Sequence, residues 1–196
     1  MNYRGFSLLI LVATTLPVAV MADPALIKAK VEEPVLQELM GGCSLKCAFG
    51  WGVELQGAPG QKPVAIKVLN DDNAESAWTA PDGASGVGVK FKFTFPKKLI
   101  PELEGTPLYG IDFINGDWKT EELWKAHGRV KKARLYYNDK PFRDVAFADS
   151  RRWQRLGFPD IYVHSGDFMS FEILEIYPGD KGTGAAISEI VLQGAH

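Results

Sequence analysis

Four stretches of this chain hold residue types that could do chemistry. LNDDNAESAWTA, residues 69–80, packs Asp71, Asp72, Asn73, Glu75 and Ser76 ahead of Trp78. Oxygen-rich loops suit calcium, which takes about six to eight oxygens from carboxylates, amides, hydroxyls and carbonyls. EF-hand spacing is absent, so the alternatives are an irregular cation site or a solvated acidic turn. FINGDWKTEELWKAHGRVKKARLYY, residues 113–137, clusters Trp118, Trp124, His127, Arg129 and Lys131. Sugar recognition wants flat aromatic faces for C–H stacking and forked donors for hydroxyls, and this stretch holds both. The structural alternative is that Trp124 packs a short helix onto a sheet and Arg129 makes an ion pair. RRWQRLGFPD, residues 151–160, sets Trp153 among three arginines, either an anionic or sugar site or an edge loop held by cation–π contacts. The fourth stretch is AISEIVLQG, residues 186–194, where Glu189 is the one charge on a strand with two largely apolar faces. A buried carboxylate without a partner costs several kcal/mol, so Glu189 must face water, meet a cation or mark a bend.

The elements that would position these residues are mainly strands. KFKFTF, residues 90–95, alternates strictly, so Phe91, Phe93 and Phe95 share one face and Lys90, Lys92 and Thr94 the other. Similar runs are YGIDFI (109–114), KARLYY (132–137), DVAFA (144–148), DIYVH (160–164), SFEILEIY (170–177) and ISEIVL (187–192). Short strands separated by turn residues predict an all-β chain, an antiparallel β-sandwich or barrel. Only KTEELWKAHG, residues 119–128, reads as a helix, with Thr120 as N-cap and Gly128 as its stop.

Residue order then points to a family. Asp71-Asp72-Asn73-Ala74-Glu75-Ser76-Ala77-Trp78 resembles the D-G-x-x-x-T-x-W box of discoidin, or coagulation factor 5/8 type C, domains. The chain most resembles the bacterial NAD glycohydrolase translocation subgroup, also described as NADase-type glycan-binding domains. It carries CSLKC, the box, Gly86-Val87-Gly88, Ile114-Asn115-Gly116, Arg129-Val130-Lys131, Tyr177-Pro178-Gly179 and Ile187-Ser188-Glu189-Ile190 in the subgroup's order. Departures are Asp72 for the box glycine, Ser76 for threonine, Ala80 for glutamate and His127 for asparagine before Arg129. The resemblance implies a galactose-binding-like jelly roll with one short helix over residues 43–196. It also implies a structural calcium held by Asp71, Asn73, Ser76 and Glu189, and recognition of glycan by loops at one end. The resemblance is to the binding module and not to the NAD-cleaving domain.

The bounds agree with such a module. MNYRG followed by FSLLILVATTLPVAVM and the small residues Val20 and Ala22 predicts a secretory signal peptide over residues 1–22. Pro17 interrupts the apolar run, which falls short of the ~20 residues a membrane span needs. The protein is therefore expected to be exported, periplasmic or extracellular, with residues 23–42 as a charged lead that is a short helix or tether. The two cysteines, Cys43 and Cys47, are expected to close a local disulfide in that compartment. A formal charge of −2 offers no basic field for nucleic acid. No G-x-S-x-G or H-E-x-x-H occurs and there are only three histidines, so no catalytic site assembles. The expected function is non-catalytic binding of a glycan or envelope component, the alternative being a protein-interaction module.

Overall fold

In the computed structural model, the alternation in KFKFTF places Phe91 and Phe93 in the core and leaves Lys90 and Lys92 partly exposed on the opposite face. Their ammonium groups lie 3.8 and 3.7 Å from the ring centroids of Tyr136 and Phe168. The structure describes residues 23–32, 52–56, 64–95, 105–182 and 184–194. The expected signal peptide, the Cys43 and Cys47 pair and residues 33–42 of the lead lie outside these.

The strands are β1 (Leu26–Lys28), β2 (Lys30–Val31), β3 (Gly52–Gln56), β4 (Val64–Ala65), β5 (Trp78–Thr79) and β6 (Lys90–Thr94). They continue with β7 (Thr106–Asn115), β8 (Arg129–Tyr137), β9 (Lys140–Ala146), β10 (Gln154–Val163), β11 (Phe168–Tyr177) and β12 (Ala186–Gly194). Helix α1 (Glu121–Ala126) lies between β7 and β8. A 7-stranded sheet runs β1-β9-β8-β11-β6-β3-β4 and a 5-stranded sheet runs β2-β10-β7-β12-β5. β1 joins β9 in parallel, and the other strand pairs are antiparallel. The fold is the expected all-β sandwich.

Rings from both sheets build the core. Phe113 of β7 stacks on Phe147 at 4.4 Å and on Phe171 of β11 at 5.4 Å, while Trp78 meets Phe91 edge-on at 4.8 Å. Each fully buried ring contributes roughly 2–3 kcal/mol relative to exposure. The antiparallel register brings the ends of β7, β9 and β11 and the starts of β8, β10 and β12 to one end of the sandwich. The segments 116–128, 147–153, 178–182 and 184–185 therefore share that end.

Two elements differ from their sequence reading. The lead, expected as a short helix or tether, is extended over residues 26–31 and pairs with both sheets, β1 with β9 and β2 with β10. RRWQRLGFPD reads as a loop, yet its residues from Gln154 onward form most of β10. Gly157 and Pro159 obscure the strand because a register shift lies between Gly157 and Ile161, where an irregularity tolerates proline.

Candidate functional site

The end that carries α1 is organised by Asn115. Its fully buried side chain donates to Val130 O and accepts from Val130 N, each at 2.7 Å, replacing a backbone partner between β7 and β8 in opposite sheets. Its carbonyl accepts from the indole N–H of both Trp118, at 3.1 Å, and Trp124, at 2.9 Å. Gly116 follows with φ of 91°, and a Cβ there would stand 2.5 Å from Trp124 Cδ1, so only glycine fits the turn. Ser188 of β12 closes the group, donating to Gly116 O at 3.0 Å and accepting from Trp118 N at 3.1 Å.

Thr120 caps α1 as its sequence predicts, accepting from Leu123 N at 3.1 Å. The C-terminal carbonyls of Lys125 and Ala126 accept from Asp180 N and Lys181 N, which ties α1 to the loop after Tyr177-Pro178-Gly179. A Cβ on Gly179 would lie 2.1 Å from Ala126 O, so that motif is a close backbone approach. Beside it, a cleft of about 240 Å³ is lined by Gly83, Ser85, Pro178 and Gly184 among others.

The expected ligand-binding residues separate on inspection. Trp118, Trp124, His127 and Arg129 meet around Asn115 and α1. Arg129, 7% exposed, donates from Nε and Nη2 to Asp149 at 2.9 and 3.0 Å and from Nη1 to His127 O at 2.8 Å. Its guanidinium lies 4.8 Å from the Trp124 ring centroid. Lys131 instead pairs with Glu175 at 2.9 Å, and that hydrogen bond raises its pKa above the usual lysine value. Sequence reasoning gave the arginines near residue 151 to Trp153, but Trp153 is 2% exposed. Arg151 serves Trp118: it donates to Trp118 O at 2.9 Å, with its guanidinium 5.6 Å from the ring. Asn115 carried a signal in Ile114-Asn115-Gly116, whereas the roles of Asp149 and Arg151 had none.

The expected cation residues lie before β5. Asp71 Oδ1 accepts from Asn73 N at 3.0 Å, and the one hydroxyl proton of Ser76 is shared between Asp71 Oδ2 at 2.7 Å and Asn73 O at 2.9 Å. Asp72 adopts φ of 60°, the left-handed region the box glycine would favour, so the residue differs without a right-handed backbone. Glu189 is 1% exposed, so it does not face bulk solvent. Ile187 pairs with Trp78, and this antiparallel register carries Glu189 toward Ser76. The donors suit a hard cation in kind, being oxygen throughout. Among the described residues no three His, Cys, Asp or Glu side chains converge on a point, so amide, hydroxyl and carbonyl oxygens would complete any shell.

Comparison with known proteins decides the family. The NAD glycohydrolase translocation F5/8 type C domain matches residues 55–193. The chain belongs to that family. Among solved structures, this F5/8 type C domain is similar to the CBM32-1 and CBM32-2 domains from Clostridium perfringens ZmpB, with TM-score 0.53 and 9% identity. The match covers 89% of this chain and 42% of that one. The same domains in complex with GalNAc give TM-score 0.54 at 9% identity, covering 89% of this chain and 41% of that one. The NMR structure of the Streptococcus pyogenes NAD+-glycohydrolase translocation domain gives TM-score 0.38 and 19% identity, over 59% of this chain and 95% of that one. The chain thus spans less than half the length of those ZmpB chains. No curated protein matches the sequence significantly. No helix among the described residues is long and apolar enough to cross a membrane.

Proposed function

We propose that this F5/8 type C domain is an exported, non-catalytic module that recognises carbohydrate at the end of the sandwich carrying Trp118. The observation that carries the reading is Trp118 itself. It is a partly exposed indole whose N–H is held by Asn115 O, whose backbone is held by Ser188 and whose carbonyl is held by Arg151. An aromatic fixed in this way loses little freedom on binding, and stacking on a sugar uses the ring rather than the occupied N–H. Asp117, Lys119 and Arg151 supply polar groups around it. The GalNAc complex of a similarly folded CBM32 pair supports the same ligand class. His127, Arg129 and Trp124 hold the platform in this reading, and Lys131 lies outside it.

Calcium is assigned a structural part. Asp71, Asn73, Ser76 and Glu189 would hold it, tying β12 to the loop before β5 and contributing no chemistry to ligand binding. The test of the main reading is a glycan array probed in calcium and in chelator. Reproducible binding by the folded wild-type protein supports it. Silence from folded protein overturns it in favour of a protein partner.

A further inference from the structure

A second feature lies on the outer face of the 5-stranded sheet, on neighbouring strands β10, β7 and β12. Asp112, 2% exposed, accepts from Arg155 Nε and Nη2 at 2.7 and 2.8 Å and from Gln193 Nε2 at 2.9 Å. The carboxylate thus fixes two side chains that remain partly exposed, Arg155 with 44% of its side chain accessible. One residue pair further along, Gly110 faces Gly157 across β7 and β10, and Gln193 pairs with Gly110 across β7 and β12. The two glycines leave a depression of about 150 Å³, rimmed by Tyr109, Arg155 and Gln193.

Gly110 has a structural reason to be glycine, since a Cβ would stand 2.7 Å from Leu156 O. Gly157 has none of that kind: its φ is not in the left-handed region, and among the described residues nothing lies within 4 Å of a Cβ built there. Glycine inside a strand costs roughly 0.5–1 kcal/mol relative to alanine and marks either a bulge, here the shift after Gly157, or a place where another molecule approaches the backbone. The register shift that follows it is of the kind found beside binding sites.

We infer that this depression is a second saccharide subsite, taking one neutral pyranose unit. Arg155 is charge-compensated by Asp112, so the site offers directed N–H donors without a net positive charge, which favours a hydroxyl over a carboxylate or phosphate. Gln193 gives one of its two amide N–H groups to Asp112 and offers Oε1 as an acceptor, while the exposed ring of Tyr109 gives a stacking edge. Donor, acceptor and aromatic edge around a side-chain-free floor match the alternating hydroxyls and C–H face of a sugar ring. The volume suits one ring and not a chain of them. The inference shares its ligand class with the proposed function but uses separate residues, so the two fail separately. Two weak subsites on one domain would raise the avidity for a branched or repeated glycan.

The test is protein-observed NMR on the 15N-labelled full-length chain, with galactose, N-acetylgalactosamine, N-acetylglucosamine, glucose and mannose added singly to millimolar concentration. Saturable shifts are expected at the Gly110 and Gly157 amides and the Gln193 side-chain amide. They should persist in Trp118→Ala and disappear in Gly157→Phe, which fills the depression without breaking the Asp112 network. Tyr109→Ala should weaken the same response several-fold and guards against a fold defect in Gly157→Phe. No shift at these groups with any sugar, or shifts that survive both Gly157→Phe and Tyr109→Ala, would overturn the inference. So would shifts that follow protein concentration, which would make this face a contact between copies of the chain.

Discussion

Arg129 and Arg155 make the same bidentate bond to an aspartate, and they serve different ends. At the α1 end Arg129 is buried, lies over Trp124, and spends Nε, Nη1 and Nη2 on Asp149 and the His127 carbonyl. On the sheet face the burial is reversed: the aspartate is inside, and the arginine keeps an edge in solvent. A buried guanidinium with its donors occupied organises its surroundings, whereas one held from below by a buried carboxylate is aimed outward. The residue type is identical in the two regions; which partner is buried separates a guanidinium committed inward from one that keeps an edge in solvent.

The largest effect that could break this comparison is removal of Asn115. Asn115→Ala leaves the Val130 N–H and C=O without their partner in the core and so loosens the turn whose backbone carbonyl accepts from both tryptophans. At ~1–3 kcal/mol per orphaned group, a loss of about 4 kcal/mol is expected by denaturant unfolding. The α1 end should lose order in NMR while the Gly157 and Gln193 signals keep their positions. A loss below about 1 kcal/mol would mean that Asn115 is not the anchor.

A smaller effect tests the cation. If calcium ties Glu189 to the Asp71 to Ser76 loop, saturating calcium should add ~2 kcal/mol to the wild type and nothing to Glu189→Gln. Thermal unfolding of both proteins in calcium and in chelator reads this directly. An equal loss from Glu189→Gln in both conditions would sink the metal and leave Glu189 as a structural carboxylate. The smallest effect is at Asp72, whose φ of 60° favours glycine. Asp72→Gly should gain about 0.5 kcal/mol without altering signals from either arginine region. A loss instead would show that Asp72 holds the loop through its side chain.

Much of this fold was legible because local pattern and tertiary demand agree. KFKFTF became a strand with the predicted inward phenylalanines, and Thr120 capped the predicted helix. The DIYVH end of the strand at Gln154–Val163 was read, but its first half was hidden because glycine and proline read as punctuation, whereas here they lie at a register shift within a strand. At the α1 end the sequence grouped Trp118, Trp124, His127 and Arg129, which the fold does bring together, with Lys131, which pairs with Glu175 instead, and it did not rank them. Arg129 is committed by Asp149 twenty residues away, and Arg151 reaches Trp118 rather than its near neighbour Trp153. Those pairings depend on how β7, β8 and β10 meet at one end, which no window of sequence contains. The sheet-face depression is further removed still, since Gly110, Asp112, Arg155, Gly157 and Gln193 come together only through the register of β10, β7 and β12.

The central claim is that Trp118 meets ligand and Arg129 holds the platform. Its most direct test is the glycan affinity of Trp118→Ala and Arg129→Met, measured side by side at a temperature where both are folded. Trp118→Ala should lose binding with little loss of stability, while Arg129→Met should lose about 2 kcal/mol of stability and keep its affinity within a few-fold. The opposite pattern, with glycan binding intact in Trp118→Ala and abolished in folded Arg129→Met, would contradict it.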